Sequence, residues 1–286
     1  MIAVMTNRWP AIVLCVGMLL MLACNAPTFT PSPAPTPTAT PSPTATAPPI
    51  SPPTATPLPE DTGWQNLRSG IEVRSLNVAV GTNVERVTIA RLEPAAVTFR
   101  VLYAPGTPAT VSAWAQQTGA ALVVNAGYFT EAYHVTGLTI SNHEVFGTSY
   151  GDFAGMFAVT DDGAVSVRWL RTWPYDPTEP LREAVQCFPV LVKPGGVMGF
   201  PADADDGRPA RRTVVAQDRG GRILMLIAPR GFFGLHDLAT WLTEADLDVD
   251  VALNLDGGTS SGLWIPHVAM IDSLTTVPAV IVVLPR

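Results

Sequence analysis

The chain has 286 residues, a formal net charge of -7 and 17 basic side chains, of which Lys193 is the only lysine. The acidic balance and the lack of a basic tract argue against a nucleic-acid partner. The three cysteines, at positions 15, 24 and 187, are too few and too scattered for a disulfide framework or a cysteine metal cluster.

The N-terminus has the layout of a secretory signal. Asn7 and Arg8 precede the apolar run AIVLCVGMLLMLA, which is short for a membrane span. The following MLAC resembles the lipobox of bacterial lipoproteins, which predicts a signal peptide over residues 1–23 and a lipid on Cys24. An uncleaved membrane anchor is the alternative. Both interpretations place the rest of the chain outside the cytoplasm, and the first attaches it to the bacterial cell membrane through the lipid.

Residues 24–60 have the composition of a tether. From Ala26 to Pro59 the sequence is almost entirely Pro, Thr, Ser and Ala, which offers too little apolar surface to offset the entropy of folding. We expect a disordered N-terminal linker followed by one domain over residues 61–286.

Most segments of this domain predict strands, because they alternate or are rich in β-branched residues between Gly, Asn and Pro. They are IEVRSLNVAV, VERVTIARL, VTFRVLYA, ALVVNAG, GMFAVT, AVSVRWL, RRTVVAQD, RILMLIA, DVALNL and VPAVIVVL. TVSAWAQQTG, which ends at Gly119, and LHDLATWLTEADL have helical spacing instead. Each predicted helix precedes an apolar strand that ends in polar residues and glycine. The order predicts a single strand-rich α+β domain with a few helices, and suggests two related halves whose strand ends converge.

The segment VALNLDGGTSSG is the main candidate for a binding site. Asn254 and Asp256 lie two residues apart, so their side chains point to the same face of a strand. The next five residues are Gly257, Gly258, Thr259, Ser260 and Ser261. The two glycines let the backbone approach a ligand, and the other three residues add hydroxyl donors. Such donors beside one carboxylate suit a phosphorylated or polyhydroxyl ligand. A simple hairpin turn is the alternative, because Asp-Gly between apolar strands is a strong hairpin signal.

NAGYFTE repeats this arrangement at the end of an earlier strand. Asn125 supplies an amide, Tyr128 an aromatic face and Glu131 a carboxylate. An aromatic face beside polar donors suits a sugar ring, which has both C-H and O-H surfaces. An ordinary strand terminus with a buried aromatic pair is the alternative.

RRTVVAQD places Arg211 and Arg212 at the head of an apolar strand. An arginine there can hold a phosphate through two parallel hydrogen bonds, and a solvated strand end paired to a carboxylate is the alternative. The four histidines lack zinc-binding spacing, so we predict no metal site. We predict no serine nucleophile either. No cofactor is predicted.

Taken in order, these segments resemble the phosphodiester glycosidase family over about residues 120 to 265. The segments that carry the resemblance are VVNAGYF, GLTISNHEV, FPVLVKPGG, RRTVVAQDRGG, GLHDLATWL and ALNLDGGTSSGL. The chain departs from the family pattern at three places. Ala126 and Thr259 stand where glycine is usual, and PRG replaces an Asp-Gly-Arg segment, which keeps Arg230 but removes a carboxylate.

The resemblance and the residues together predict a site. The catalytic candidates are Asp256, Asn125 and Arg212. The substrate-binding candidates are Asn254, Gly257, Gly258, Thr259, Ser260, Ser261, Thr213, Tyr128, Glu131 and Arg230.

This set predicts a surface-anchored hydrolase that cleaves a sugar 1-phosphodiester in envelope or extracellular glycans. Phosphate is a good leaving group, so strong general-acid help is less necessary than in an ordinary glycosidase. We expect Arg212 and the glycine loop to balance phosphoryl charge, Asp256 to act as base or nucleophile, and Asn125 to orient sugar hydroxyls. Two alternatives stay open: a surface protein that binds phosphorylated glycans without cleaving them, and metal-assisted phosphodiesterase chemistry through Asp256 and Glu131.

Overall fold

The computed structural model describes residues 59–286. The predicted signal peptide, the lipidation site at Cys24 and nearly all of the predicted linker lie outside the described residues. Within residues 59–286, no helix has the length and apolar character needed to cross a membrane.

Strands dominate the described chain, and two short helices interrupt them. In chain order the strands are β1 (Gln65–Arg68), β2 (Ile71–Val80), β3 (Asn83–Leu92), β4 (Val97–Tyr103), β5 (Leu122–Asn125), β6 (Thr139–Ser141), β7 (Glu144–Phe146), β8 (Gly155–Thr160), β9 (Val165–Trp169), β10 (Leu181–Cys187), β11 (Val190–Lys193), β12 (Val197–Met198), β13 (Ala210–Asp218), β14 (Ile223–Phe233), β15 (Val249–Asn254), β16 (Leu263–Ile265), β17 (Ala269–Ile271) and β18 (Ala279–Pro285). The helices are α1 (Val111–Thr118) and α2 (Leu235–Glu244). Single 3-10 turns form at Ala202–Ala204 and Gly258–Ser260.

The strands form three antiparallel sheets. The large sheet has eight strands in the order β1-β2-β3-β14-β13-β15-β11-β12. The second sheet has the order β7-β6-β10-β8-β9, and the third has the order β17-β16-β5-β18-β4. The predicted strand-rich domain is therefore observed, but its class is mostly β rather than α+β, because the helices contain only 8 and 10 residues.

Local signals explain both helices. Thr110 caps α1, accepting a hydrogen bond from Ala113 N, and Gly119 ends it at a φ of 61° that suits glycine. The apolar stripe of α2 buries Leu238 and Leu242 against the outer face of the large sheet.

The main core lies between the three sheets. Phe99 of β4 and Phe157 of β8 meet edge to face with ring centroids 5.7 Å apart, and Leu253 of β15 joins the same cluster. Strand β15 is buried at almost every position because α2 covers the other face of its sheet, whereas β4 alternates between buried and partly exposed residues. The continuous apolar runs of the sequence therefore mark strands that are covered on both faces.

The two strand ends singled out in the sequence do converge. Strand β5 follows α1 in the third sheet, strand β15 follows α2 in the large sheet, and Asp256 N donates to Ala126 O over 3.1 Å. The hairpin interpretation of NLDGG is wrong, since β15 and β16 belong to different sheets and the segment carries the chain from one to the other. A duplication of two related halves stays a prediction.

Candidate active site

Asn125 ties the two converging strand ends together. Its side-chain oxygen accepts hydrogen bonds from Thr213 Oγ1 at 2.8 Å and Gly262 N at 3.0 Å, while Nδ2 donates to Asp256 O at 2.7 Å. The residue is 1% exposed. Asn125 therefore positions the backbone of the glycine loop, and the expectation that it contacts sugar hydroxyls is not supported by this geometry.

Asn254 plays a similar part at the end of β15. Its Nδ2 donates to Tyr128 Oη at 3.0 Å, Phe188 O at 3.2 Å and Leu255 O at 2.7 Å. It is also 1% exposed, so its amide orients Tyr128 and the Phe188 segment rather than facing solvent. Its buried Oδ1 has no hydrogen-bond partner among the described residues.

Strand register brings Arg212 to the same edge as Asp256. Val214 of β13 lies opposite Asn254 of β15, and Leu255 N donates to Thr213 O at 2.9 Å beyond the end of the ladder. Arg212 lies two residues before Val214, and its Nη1 lies near the backbone of Gly257, the residue after Asp256. The two side chains form no ion pair with each other or with another described residue, so neither charge is neutralised by the other.

The guanidinium of Arg212 is held at two of its three nitrogens. Its Nε donates to Phe233 O at 3.2 Å and Nη2 donates to Arg208 O at 2.8 Å. Nη1 donates no hydrogen bond to a described residue and lies near the backbone of Gly257. Burial lowers the pKa of Arg212, but an arginine remains a cation at neutral pH. The arrangement leaves one fixed edge for an anionic ligand.

Asp256 is the carboxylate of the site. Burial raises its pKa from 3.8 to about 6, and hydrogen bonds from Ser260 and the Gly257 backbone oppose that rise. Burial also raises the pKa of Tyr128, whose phenol stays protonated; the nearby charge of Asp256 adds to this shift. A carboxylate that titrates near neutrality in a partly buried site is suited to proton transfer.

The loop after Asp256 needs its glycines. A side chain at Gly257 would place Cβ 3.0 Å from Arg211 O and 3.8 Å from Arg212 Nη1, and Gly258 has a φ of 61°. Arg211 supports the loop from below, because its Nη2 donates to Ser261 O and Asp272 O, both at 2.8 Å. Arg211 is thereby a structural residue.

The predicted site residues fall into three groups. Tyr128, Arg212, Asp256, Gly257, Gly258 and Thr259 are exposed or partly exposed at the junction of β5, β13 and β15. Asn125, Thr213, Asn254, Ser260 and Ser261 are buried beneath them. Thr213 and Ser261 are both 0% exposed, so the structure gives no support to the substrate-binding role predicted for them, which stays a prediction. They lie in the layer that supports the loop.

Two predicted residues lie apart from this junction. Glu131 is exposed and forms no hydrogen bond or ion pair within the described residues, so nothing there brings it to Asp256. Arg230 donates to Val84 O at 2.7 Å and its backbone N donates to Glu85 Oε1, which attaches it to β3. The substrate-binding role predicted for Arg230 therefore has no support from its contacts.

Phe188 is a residue of the site that the sequence did not reveal. Its carbonyl accepts from Tyr128 Oη at 2.7 Å and from Asn254, and its ring packs on that of Tyr128 with centroids 4.9 Å apart. The only sequence signal was its place in FPVLVKPGG, beside the buried Cys187. Among the described residues, no cluster of three or more His, Cys, Asp and Glu is arranged to hold a metal ion.

Comparison with known proteins identifies the family. The sequence profile of the phosphodiester glycosidase family matches residues 118–284, whereas no functionally curated protein matches the chain. A crystal structure of a hypothetical protein from Synechocystis shares 16% identity with a TM-score of 0.58, covering 78% of this chain, which spans 63% of that protein. The zebrafish N-acetylglucosamine-1-phosphodiester alpha-N-acetylglucosaminidase catalytic domain, auto-inhibited by its pro-peptide, shares 17% identity with a TM-score of 0.59 over 80% of this chain and 85% of that one. These two likenesses concern the fold, while the profile covers more than half of the chain. The chain belongs to the phosphodiester glycosidase family.

Proposed function

We propose that the protein hydrolyses glycosyl phosphodiesters, the bonds that join the anomeric carbon of a sugar to a phosphate diester. One observation carries the proposal. A partly buried carboxylate, Asp256, and the free Nη1 of Arg212 both lie at the glycine loop, and the two charges form no ion pair. An anion and a cation held apart in this way suit a substrate with an electrophilic carbon beside a negatively charged leaving group.

The reaction follows from these positions. Asp256 takes a proton from a water molecule, whose oxygen attacks the anomeric carbon. The bond between that carbon and the bridging oxygen of the phosphodiester breaks, and its electron pair leaves with the phosphate monoester. Arg212 Nη1 and the N-H groups of the glycine loop stabilise the charge that develops on the phosphoryl oxygens. A base with a pKa of about 6 is mostly ionised at neutral pH and is stronger than an ordinary aspartate.

The buried amides keep this geometry without touching the substrate. Asn125 fixes the carbonyl of Asp256 and the N-H of Gly262, so both ends of the loop are attached to one side chain. Asn254 fixes the phenol of Tyr128, whose ring offers an apolar face to the sugar. Rigid support of this kind holds catalytic groups near their productive arrangement.

The rest of the proposal concerns location. A signal peptide over residues 1–23, a lipid on Cys24 and a disordered linker over residues 24–60 would attach the domain outside the cytoplasm to the bacterial membrane. The substrates in reach would then be phosphodiester-linked glycans of the envelope or of the surroundings. Metabolic labelling with a palmitate analogue tests the anchor: a labelled wild type with an unlabelled Cys24→Ala variant supports it, and equal labelling overturns it.

The activity is tested with the purified chain and a sugar 1-phosphate methyl ester, following release of free sugar. Wild type is expected to release sugar with an acid limb in kcat/KM near pH 6, whereas Asp256→Asn is expected to lose at least ~100-fold in rate. Water labelled with oxygen-18 should appear in the sugar and not in the phosphate. Full turnover by Asp256→Asn would contradict the assignment, and saturable binding without product would instead support a protein that only binds phosphorylated glycans.

A further inference from the structure

A cleft of about 340 Å³ opens beside the candidate active site, and no part of the mechanism above uses it. Aromatic side chains make up much of its lining, from Phe153, Trp169, Phe188 and Phe200. Two of these rings are unusually accessible for large apolar side chains, since Phe153 is 54% exposed and Phe188 is 36% exposed. Exposed rings around a concave surface are a feature of ligand sites.

Phe188 connects the cleft directly with the active site. On one side its ring packs against Phe153, with centroids 5.6 Å apart in an edge-to-face arrangement. On the other side it packs against Tyr128, and its carbonyl accepts the hydrogen bonds of Tyr128 and Asn254 described above. The cleft therefore adjoins the aromatic part of the active site, where Tyr128 lies.

Lys193 gives the cleft a positive charge. It is the only lysine of a chain with net charge -7, and its ammonium lies 5.1 Å from the centroid of the Trp169 ring. It forms no ion pair or side-chain hydrogen bond with a described residue, whereas Arg171 on the same rim pairs with Asp152 at 3.0 Å. An unneutralised cation beside exposed rings matches a ligand that combines a sugar ring with a negative charge.

We propose that this cleft binds the alcohol half of the substrate, the sugar on the far side of the scissile phosphate, and that it selects a sugar carrying a second negative charge. This inference rests on the proposed function. In a glycan whose units are joined through 1-phosphodiesters, cleavage frees the anomeric carbon of the released sugar. The sugar on the alcohol side carries the next phosphate along the glycan. When the terminal unit is cleaved, the released sugar carries no other phosphate, so only the alcohol half offers both a ring for Phe153 and Phe188 and an anion for Lys193.

The test compares two substrates that share the same sugar 1-phosphate group. In the short one the alcohol is methanol, and in the long one it is a hexose with a second phosphate. Phe153→Ala and Lys193→Gln are expected to lower kcat/KM for the long substrate by roughly tenfold, mainly through KM, and to leave the short substrate unchanged. Val145→Ala, equally exposed at 54%, and Arg286→Gln, a cation beside a different cleft, serve as matched controls.

Salt provides a second readout. Added salt should weaken the wild-type preference for the long substrate and should have little effect on the preference of Lys193→Gln, because the charge it screens is absent there. Equal losses on both substrates, or no loss on the long one, would overturn the proposal.

Failure of the proposed function is distinguishable from failure of the cleft. If wild type cleaves neither substrate, calorimetric titration with the phosphorylated hexose alone tests the cleft by itself. The cleft proposal is supported if wild type and Asp256→Asn bind the phosphorylated hexose and Lys193→Gln does not. It is overturned if wild type does not bind it.

Discussion

Replacing Asp256 by asparagine should stabilise the fold at neutral pH while removing activity. Burial raises the pKa of this carboxyl to about 6, against 3.8 for an ordinary aspartate. The folded chain therefore binds a proton at Asp256 more tightly than the unfolded chain does. As pH rises from about 4 to about 6, the free energy of unfolding falls, and above that window the loss is complete.

The size of the effect follows from the shift. A difference of about 2 pKa units at about 1.4 kcal/mol per unit gives an upper limit of about 3 kcal/mol at pH 7. Because the side chain is partly exposed, solvent screening lowers this, and we expect a gain of about 1–2 kcal/mol. Asparagine keeps an oxygen that accepts from Ser260 and Gly257, so the substitution removes the charge while retaining the shape.

Urea unfolding of the full chain at pH 4, 5, 6, 7 and 8 measures this difference. The stability of Asp256→Asn relative to wild type should grow across the window and be close to zero at pH 4. Asp203→Asn changes an exposed carboxylate and should show no such trend. A variant less stable than wild type at pH 7, or a difference that does not vary with pH, would refute the burial argument.

Three other substitutions test the supports of the site. Asn125→Ala leaves the Thr213 hydroxyl, the Gly262 N-H and the Asp256 carbonyl unpaired. Urea unfolding should therefore show that the free energy of unfolding falls by about 2–4 kcal/mol. A fall below about 1 kcal/mol would contradict the role of Asn125 in holding the loop. Arg212→Gln should lower kcat/KM by at least ~100-fold on the short substrate, while Arg286→Gln should leave it unchanged. Gly257→Ala forces Cβ against Arg211 O and should lower kcat several-fold, whereas Gly106→Ala meets open space and should be neutral.

The sequence predicted the elements of the fold better than their assembly. Helix α1 carries a side-chain cap and a terminal glycine, and α2 carries an apolar stripe; these are local signals that act wherever the segment lies. The hairpin that was the alternative interpretation of NLDGG failed for the opposite reason. Asp-Gly predicts a chain reversal, but which strand pairs with β15 depends on β11 and β13, which are distant in sequence.

The same limit applies to the site. Its residue types and their order indicated a sugar-phosphate site, and strand alternation placed Asn254 and Asp256 together. Strand alternation does not show which of the two side chains is buried by other parts of the chain. Asn254 is buried because Tyr128 and the Phe188 segment lie over it. Phe188 gave only the weak signal of its place in FPVLVKPGG, because an aromatic residue in an apolar run is typical of a core until the strands around it are known.

The three departures from the family pattern can each be described by their local contacts in the structure. Ala126 adds a methyl group that is buried, and its carbonyl still accepts from Asp256 N. Thr259 is exposed, and its carbonyl accepts from Leu274 N at 2.7 Å. At PRG the buried Glu85 accepts from the backbone N-H groups of Arg230 and Phe232. Glu85 of β3 therefore holds the end of β14 just before α2 begins.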